Sequence, residues 1–136
     1  MKKLFSVSYP ASAFDLAMLI LRVGVSMIMI HHGYGKLTHF DEMQGKFMSF
    51  MGLSSSVSLG LLIFAEVACS ALLILGLATR VALIPCIIAM GVAEFVAHGF
   101  DPWGKGEAAM LYLIVYVAII LVGPGRYSVD ALIDKK

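Results

Sequence analysis

Four long apolar blocks constrain the fold of this chain more than any other feature of its sequence. They cover residues 14–34, 57–77, 81–97 and 108–122, and each is close to the roughly 17 to 25 residues that cross a hydrocarbon core as an α-helix. The fourth block reaches that length only if Glu107 and the segment 123–125 lie at the membrane interface. Because the blocks are continuously apolar rather than alternating, they favour helices over the strands of a β-barrel.

The composition also indicates a membrane environment. Of the 136 residues, 60% are hydrophobic and 14% are charged, whereas soluble domains average about half and about a quarter. A soluble domain of this size could not bury so much apolar surface. Helices satisfy their own backbone hydrogen bonds in lipid. The sequence therefore predicts an all-α, integral membrane, antiparallel four-helix bundle that forms a single domain over residues 1–136.

The distribution of lysine and arginine predicts the orientation of the bundle. An even number of spans places both termini on one side of the membrane. Six basic residues then share that side and three lie opposite: Lys2, Lys3, Arg80, Arg126, Lys135 and Lys136 against Lys36, Lys46 and Lys105. The positive-inside bias places the termini in the cytoplasm. The first span is interpreted as retained rather than as a cleaved signal peptide, because Arg22 interrupts its apolar core.

The first outer loop carries a pattern of its own. Apolar side chains recur at helical spacing within residues 41–51, which predicts a short amphipathic helix on the membrane surface. The formal net charge of +1 argues against a nucleic-acid partner. No glycine-rich segment forms a nucleotide-binding fingerprint.

Charged residues lie inside the apolar blocks, among them Arg22 in the first and Glu66 in the second. A charge at mid-bilayer costs at least about 2.5 to 3.5 kcal/mol on insertion scales, so such groups normally pair or face a polar interior. When each span is centred in the membrane, Arg22 and Glu66 come to nearly the same depth. The sequence predicts that they pair across the bundle, either to fix helix register or to take part in function.

Further ionisable residues converge on the outer half of the predicted bundle. Glu94 and His98 lie one turn apart on the third span, and His32 and Lys36 lie near the end of the first. Glu107 begins the fourth, where a carboxylate also suits the helix dipole. A polar pocket open to the outer side would bring these groups together. In the first span, His31 is predicted to face away and to be dispensable.

Three kinds of ligand suit such a pocket. For a quinone or hydroquinone, Glu94 and His98 would handle protons while charged groups orient the ligand. The second kind of ligand is a small polar solute, which the protein would carry as a permease. Alternatively, the protein is a non-enzymatic scaffold in which the ion pair is structural. The third kind of ligand is a metal ion. The sequence supports it less well, because di-iron bundles use paired Glu-x-x-His motifs and this chain has a single Glu-x-x-x-His on one helix. No metal site is predicted. The predicted ligand-binding residues are Arg22, His32, Lys36, Glu66 and Glu107.

Taken in order, these residues resemble the DoxX family of small bacterial membrane proteins. The matching elements are LRVGVSMIMIHHGYGKL at 21–37, Glu66 with LGLATR at 75–80, EFVAHG at 94–99, Glu107, and GPGRYSVD at 123–130. The likeness covers nearly the whole chain. Each motif is weak alone, but their spacings are specific in combination.

The resemblance implies a four-span protein of the bacterial inner membrane. Some members are subunits of thiosulfate:quinone oxidoreductase, and others associate with redox-defence enzymes or are linked to quinone and catechol resistance. It therefore implies a quinone as cofactor and a redox enzyme as partner, and a homo-oligomer is compatible with both. This chain is expected to be a membrane subunit or a small quinone-related protein rather than a self-contained thiosulfate oxidase, because it lacks a fused domain for thiosulfate chemistry.

Overall fold

The regular secondary structure of this protein is helical. The structure is a computed structural model, and it describes residues 1–135. We label the helices α1 (Ala11–Thr38), α2 (Ser55–Leu75), α3 (Thr79–Ala97), α4 (Glu107–Val122) and the short α5 (Val129–Asp134). No strand occurs among the described residues. The prediction of an all-α chain is confirmed. Lys136, which belonged to the predicted cytoplasmic charges, lies outside the described residues.

Three of the helices are long and apolar enough to cross a bilayer. They are α1, α2 and α3, with 28, 21 and 19 residues, whereas α4 has 16. At about 1.5 Å per residue, α4 is about 24 Å long, so it could cross only with its ends at the interface. Each observed helix overlaps one of the four predicted spans: α1 is longer at both ends than its predicted span, whereas α2 ends at Leu75, two residues before its predicted end.

The segment between α1 and α2 is less helical than predicted. One short helix, Phe40–Met43, follows α1, and turns and irregular backbone occupy residues 44–54. Phe47, Met48 and Phe50 are nevertheless partly buried beside α2. Because short isolated helices are unstable in water, contacts with the rest of the protein determine this backbone more than its amphipathic spacing does.

Two of the long helices contain a wider, π-helical turn at an acidic residue. In α2 the turn Phe64–Cys69 holds Glu66, and in α3 the turn Ala93–Ala97 holds Glu94. A π turn breaks the regular helical repeat, and such turns are frequent at functional sites. Both carboxylates are withdrawn from the surface, since Glu66 is 4% exposed and Glu94 is 0% exposed.

The contact between α1 and α2 shows that one sequence prediction is wrong. A Cβ atom at Gly33 would lie 2.8 Å from the Cβ atom of Glu66, and one at Gly76 would lie 3.0 Å from Cζ of Arg22. Glu66 is therefore level with Gly33, whereas Arg22 is level with the end of α2. Gly33 and Arg22 are separated by about 16 Å of helix. Arg22 and Glu66 do not pair, because α1 and α2 are offset along their length rather than centred on each other.

The apolar core lies where the four long helices meet. Met29 of α1, Leu73 of α2, Leu83 of α3 and Ile119 of α4 are buried in it. Many other large apolar side chains on these helices are exposed, as expected where helices face lipid. The core is therefore narrow, and only one stripe of each helix contributes to it.

The C-terminal segment folds back across one end of the helices. Asp130 accepts hydrogen bonds from the backbone N–H groups of Ala78 and Thr79, at 2.7 and 2.8 Å, and so caps the start of α3. Its own N–H group donates to the Gly76 carbonyl at 2.9 Å. We call this side of the protein the Arg22 end, and the opposite side, where α1 finishes, the Lys36 end.

Candidate functional site

A cavity of about 780 Å³ lies between α2 and α3 at the Lys36 end. Most of its wall is apolar and comes from α2, α3 and the segment that connects α1 to α2. Its polar side chains are few: Lys36, Ser58, Glu66 and His98. A concave, mostly apolar site of this volume with a small number of polar groups is typical of small-molecule binding sites.

An ion pair lies in the cavity wall. The Lys36 ammonium nitrogen is 2.9 Å from each of the two carboxylate oxygens of Glu66. The Glu66 side chain is 4% exposed and that of Lys36 is 25% exposed. Gly33 permits this contact, because its missing side chain lets α1 approach the π turn that carries Glu66. The pair is neutral overall, yet it presents N–H donors and oxygen acceptors with charge-assisted strength.

His98 lines the same cavity, and its Nδ1 atom is buried without a hydrogen-bond partner among the described residues. Glu94 is fully buried but is not part of the cavity wall. Its carboxylate lies directly against Gly106, just before α4, and neither oxygen has a hydrogen-bond partner within residues 1–135. Of the predicted proton-handling pair, only His98 therefore lines the cavity, and the π turn at Ala93–Ala97 lies between the two residues.

Arg22 lies at the other end of the protein. It is almost fully buried, and its guanidinium group donates to the carbonyl oxygens of Pro124 and, at 2.6 Å, of Tyr127. It is not part of the cavity wall. Its prediction as a ligand-binding residue is therefore not supported, because its donors are used to hold the C-terminal segment.

His32 and Glu107 are exposed and also lie outside the cavity wall. The His32 ring packs edge-on against Tyr112, with ring centroids 6.4 Å apart. His31 is exposed as well, so exposure does not distinguish the two histidines. Within residues 1–135, no group of three or more His, Cys, Asp or Glu side chains is placed to hold a metal ion.

The connecting segment supplies cavity residues that the sequence prediction missed. Phe47 and Phe50 line the cavity, and the Phe50 N–H group donates to the Ser58 hydroxyl of α2 at 3.0 Å. The available signal was the apolar spacing within residues 41–51. It indicated a buried face, which contacts protein in the structure, whereas the prediction had placed it on the membrane surface.

The other motif residues meet at the Arg22 end. Arg80 donates through Nε to the Ile120 carbonyl at 3.1 Å, and Asp15 accepts from the Arg126 N–H group at 3.2 Å. Burial alone would raise the pKa of the Asp130 carboxyl, but hydrogen bonds from Thr79 and Ala78 and the charge of Arg22 together lower it below its usual value. These contacts stabilise one end of the fold rather than form the cavity.

Comparisons with known proteins agree with a membrane location. A DoxX family model matches residues 17–99, a range that includes Lys36, Glu66 and His98. An uncharacterized protein of Haemophilus influenzae is 31% identical, over 85% of this chain and 90% of its own length. An uncharacterized membrane protein of Mycobacterium tuberculosis is 27% identical, over 88% of this chain and 83% of its own length.

The inner membrane protein YqjF of Escherichia coli is 25% identical, over 90% of this chain and 95% of its own length. No solved structure matches the chain. Together with three helices long and apolar enough to cross a bilayer, these relatives identify the chain as a multi-pass protein of the bacterial inner membrane.

Proposed function

The chain belongs to the DoxX family, and on that basis we propose that it binds a quinone in the cavity between α2 and α3, as a subunit or partner of a membrane oxidoreductase. The observation that carries the proposal is the Lys36–Glu66 ion pair in the wall of an otherwise apolar cavity. Charged groups in membrane helices are costly and mark functional sites. An apolar cavity with one polar patch suits a ligand that has an apolar body and a polar ring edge.

The rim of the cavity supports entry from the lipid. Leu61, Phe64, Ile88 and Val96 line the cavity, yet each is more than half exposed. In a bilayer, exposed apolar side chains on these helices would face lipid tails. A ligand that enters between α2 and α3 is therefore lipid-soluble, which favours a quinone over a polar solute.

The ion pair can serve both redox forms of a quinone. The Lys36 ammonium group can donate a hydrogen bond to a quinone carbonyl, and the Glu66 carboxylate can accept one from a hydroquinone hydroxyl. His98, on the same wall, offers a second group that can exchange protons. Glu94 lies apart from the cavity and would act only through its effect on α3 and Gly106. Electrons would be exchanged with the partner oxidoreductase.

The distribution of charge supports a cytoplasmic location for both termini. Among residues 1–135, the Arg22 end carries six basic and three acidic residues, and the Lys36 end carries three basic and six acidic ones. The first set is Lys2, Lys3, Arg22, Arg80, Arg126 and Lys135 with Asp15, Asp130 and Asp134. The second is Lys36, Lys46 and Lys105 with Asp41, Glu42, Glu66, Glu94, Asp101 and Glu107. By the positive-inside bias, this difference in charge favours a cytoplasmic location for the Arg22 end. The connection between α2 and α3, residues 76–78, is short, which favours antiparallel packing of these two helices.

A second candidate is a non-enzymatic scaffold or small-solute permease. The hydrogen bonds around Arg22 favour the scaffold, because they show that one conspicuous buried charge serves to hold the chain together. If the Lys36–Glu66 pair has the same role, the cavity would be filled by lipid rather than by a specific ligand.

Ligand-dependent stability tests the proposal. Purified protein in lipid nanodiscs is melted with a short-chain quinone, its hydroquinone, or a fatty alcohol of matched length. A ligand that binds the folded protein raises the melting temperature, and the rise increases with the logarithm of its concentration relative to its Kd; we expect both quinone forms to do so. Lys36→Met and Glu66→Gln should abolish the shift, whereas the matched exposed-site controls Lys46→Met and Glu107→Gln should keep it.

Two results would contradict quinone binding. The first is a folded wild-type protein that neither quinone form stabilises. The second is an equal shift with the fatty alcohol, which would identify the cavity as a lipid site and favour the scaffold.

A further inference from the structure

The surface of α1 that points away from the bundle carries a histidine. The inward surface of the helix holds Ser26, Met29 and Gly33, which are buried. Because an α-helix turns by about 100° per residue, His31 lies about 200° around the axis from Gly33 and is directed outward. Its exposure agrees with this direction. The outward face of α1 is made of exposed residues: Ile20, Gly24, Met27, Ile28, His31 and Gly35.

The depth of His31 in the membrane follows from the contact between α1 and α2. Gly33 is level with Glu66, and Glu66 lies near the middle of α2, which runs from Ser55 to Leu75. The middle of a helix that spans a bilayer lies near the bilayer centre. His31 precedes Gly33 by two residues, or about 3 Å along the helix. Its imidazole ring therefore lies in the hydrocarbon region rather than at an interface.

A polar side chain directed into lipid needs a partner there. Ionisable residues within membrane helices are costly and almost always face protein or water. A helix packed against the outward face of α1 would supply that partner, since hydrogen bonds and close backbone approach hold membrane helices together. Gly24 and Gly35 permit such an approach, because a Cβ atom at either position would meet no atom of the protomer within 4 Å.

We propose that the outward face of α1 binds the same face of a second copy of this chain, with the two His31 rings hydrogen-bonded to each other. In a two-fold dimer whose axis is normal to the membrane, equivalent residues lie at the same depth. A neutral imidazole has one donor and one acceptor nitrogen, so it can pair with its own copy. A partner of another kind would need a polar group of its own at the centre of the bilayer.

The apolar surface around Gly24 is self-complementary in shape. A groove of about 290 Å³ lies between α1 and α4, with Gly24, Ile28 and Val115 in its wall. On the opposite edge of the outward face, Met27 is 61% exposed and projects as a ridge. A two-fold axis beside Gly24 brings the ridge of each copy to the groove of the other, as an isologous interface requires.

The dimer would leave the proposed quinone site accessible. The rim of the cavity lies between α2 and α3, whereas the groove lies between α1 and α4. The inference therefore goes beyond the proposed function and does not depend on a ligand. It gives His31 a role, whereas the sequence predicted that this residue is dispensable.

Equilibrium association in liposomes tests the role of His31. Fluorescently labelled copies are reconstituted at decreasing protein-to-lipid ratios, and the dimer fraction is measured by energy transfer. We expect a reversible equilibrium that His31→Leu weakens by about 3- to 30-fold, the scale of one interhelical hydrogen bond in a membrane. His31→Asn keeps a group that can pair with itself and should retain most of the association. His39→Leu, beyond the end of α1, is the matched control and should associate as the wild-type protein does.

Variants at Gly24 test the close approach of the two copies. Gly24→Leu should also weaken association, whereas Gly60→Leu, at an open position of α2, should not. Gly24→Cys should form an intermolecular disulfide on oxidation in membranes, and Ile84→Cys, at an exposed position of α3, should not. The native Cys69 and Cys86 are buried and do not compete for this crosslink.

Three results would overturn the dimer. The first is a wild-type protein that stays monomeric at every protein-to-lipid ratio. The second is wild-type association in both His31→Leu and Gly24→Leu. The third is equal crosslinking of Gly24→Cys and Ile84→Cys, because the contact would then not depend on the outward face of α1. These measurements contain no quinone, so they can succeed or fail independently of the proposed function.

Discussion

The Lys36 ammonium nitrogen lies 2.9 Å from both carboxylate oxygens of Glu66 and joins α1 to the π turn of α2. The contact connects two features of the protein, the close approach at Gly33 and the wall of the cavity. The stability of α1 against α2 and the chemistry of the cavity therefore depend on the same two side chains.

Removing one member of this pair should destabilise the protein more than removing both. A single Glu66→Gln or Lys36→Met change leaves a charge without its partner, which costs about 3 to 5 kcal/mol for a fully buried pair and less here because Lys36 is a quarter exposed. The double variant removes both charges and should recover part of the loss. The unfolding free energies of the wild-type protein and the three variants, measured in mild detergent, give the coupling energy between Lys36 and Glu66. Strictly additive losses would show that the two side chains do not interact.

Gly33→Ala should destabilise the contact between α1 and α2, whereas Gly35→Ala should not. A Cβ atom at Gly33 would lie 2.6 Å from the Val67 side chain, but one at Gly35 meets no atom within 4 Å. Overpacking of this kind costs about 1 to 3 kcal/mol, while alanine at an open helical position favours the helix. Thermal unfolding of the two variants checks the difference, and similar melting temperatures would contradict the packing described here.

Arg22→Met should release the C-terminal segment. The carbonyl groups of Pro124 and Tyr127 would lose hydrogen bonds to a charged donor, each worth about 1.5 to 3 kcal/mol. Limited proteolysis should then cut within residues 123–135 faster than in the wild-type protein. Arg126→Gln is the control, because the Arg126 side chain is largely exposed and its backbone bond to Asp15 would remain. Equal cleavage rates in the two variants would show that Arg22 does not hold the segment.

The protein should lose stability in acid through Asp130. The folded-state pKa of this carboxyl is lowered, so its contribution to stability is fully present above the unfolded value, near 3.9, and is lost as the pH falls through the lower folded-state value. Asp130→Asn should remove this part of the acid dependence and lower stability at neutral pH. Asp134→Asn, on the exposed side of α5, should leave the pH profile unchanged. Melting curves recorded from neutral pH to acid compare the three proteins.

Gly106→Ala should destabilise the protein, and the size of the loss should depend on the Glu94 side chain. The carboxylate of Glu94 occupies the space that a side chain at Gly106 would need. Gly106→Ala combined with Glu94→Ala should therefore be more stable than Gly106→Ala alone, and Gly91→Ala, at an open position of α3, should have little effect. The melting temperatures of these three variants and of the wild-type protein provide the test, and a double variant without recovery would argue against the contact.

The helices were predictable because their signals are local. Apolar block length predicted α1 to α4, and the weak point was α4, whose 16 residues were recognised in the sequence as short for a span. The segment after α1 was harder, since apolar spacing within residues 41–51 cannot reveal whether a buried face meets lipid or protein. That His98 lines the cavity and Glu94 does not was not predictable, because a π turn leaves no clear pattern in the sequence.

By itself, the sequence determined that this chain is a helical membrane protein with ionisable groups kept inside it, because hydrogen bonding in lipid and the length of apolar blocks depend on neighbouring residues alone. Only the tertiary structure decided which of those groups meet. The axial offset between α1 and α2 depends on where their backbones can approach, and the close contacts at Gly33 and Gly76 place Glu66 beside Lys36 and Arg22 beside the C-terminal segment.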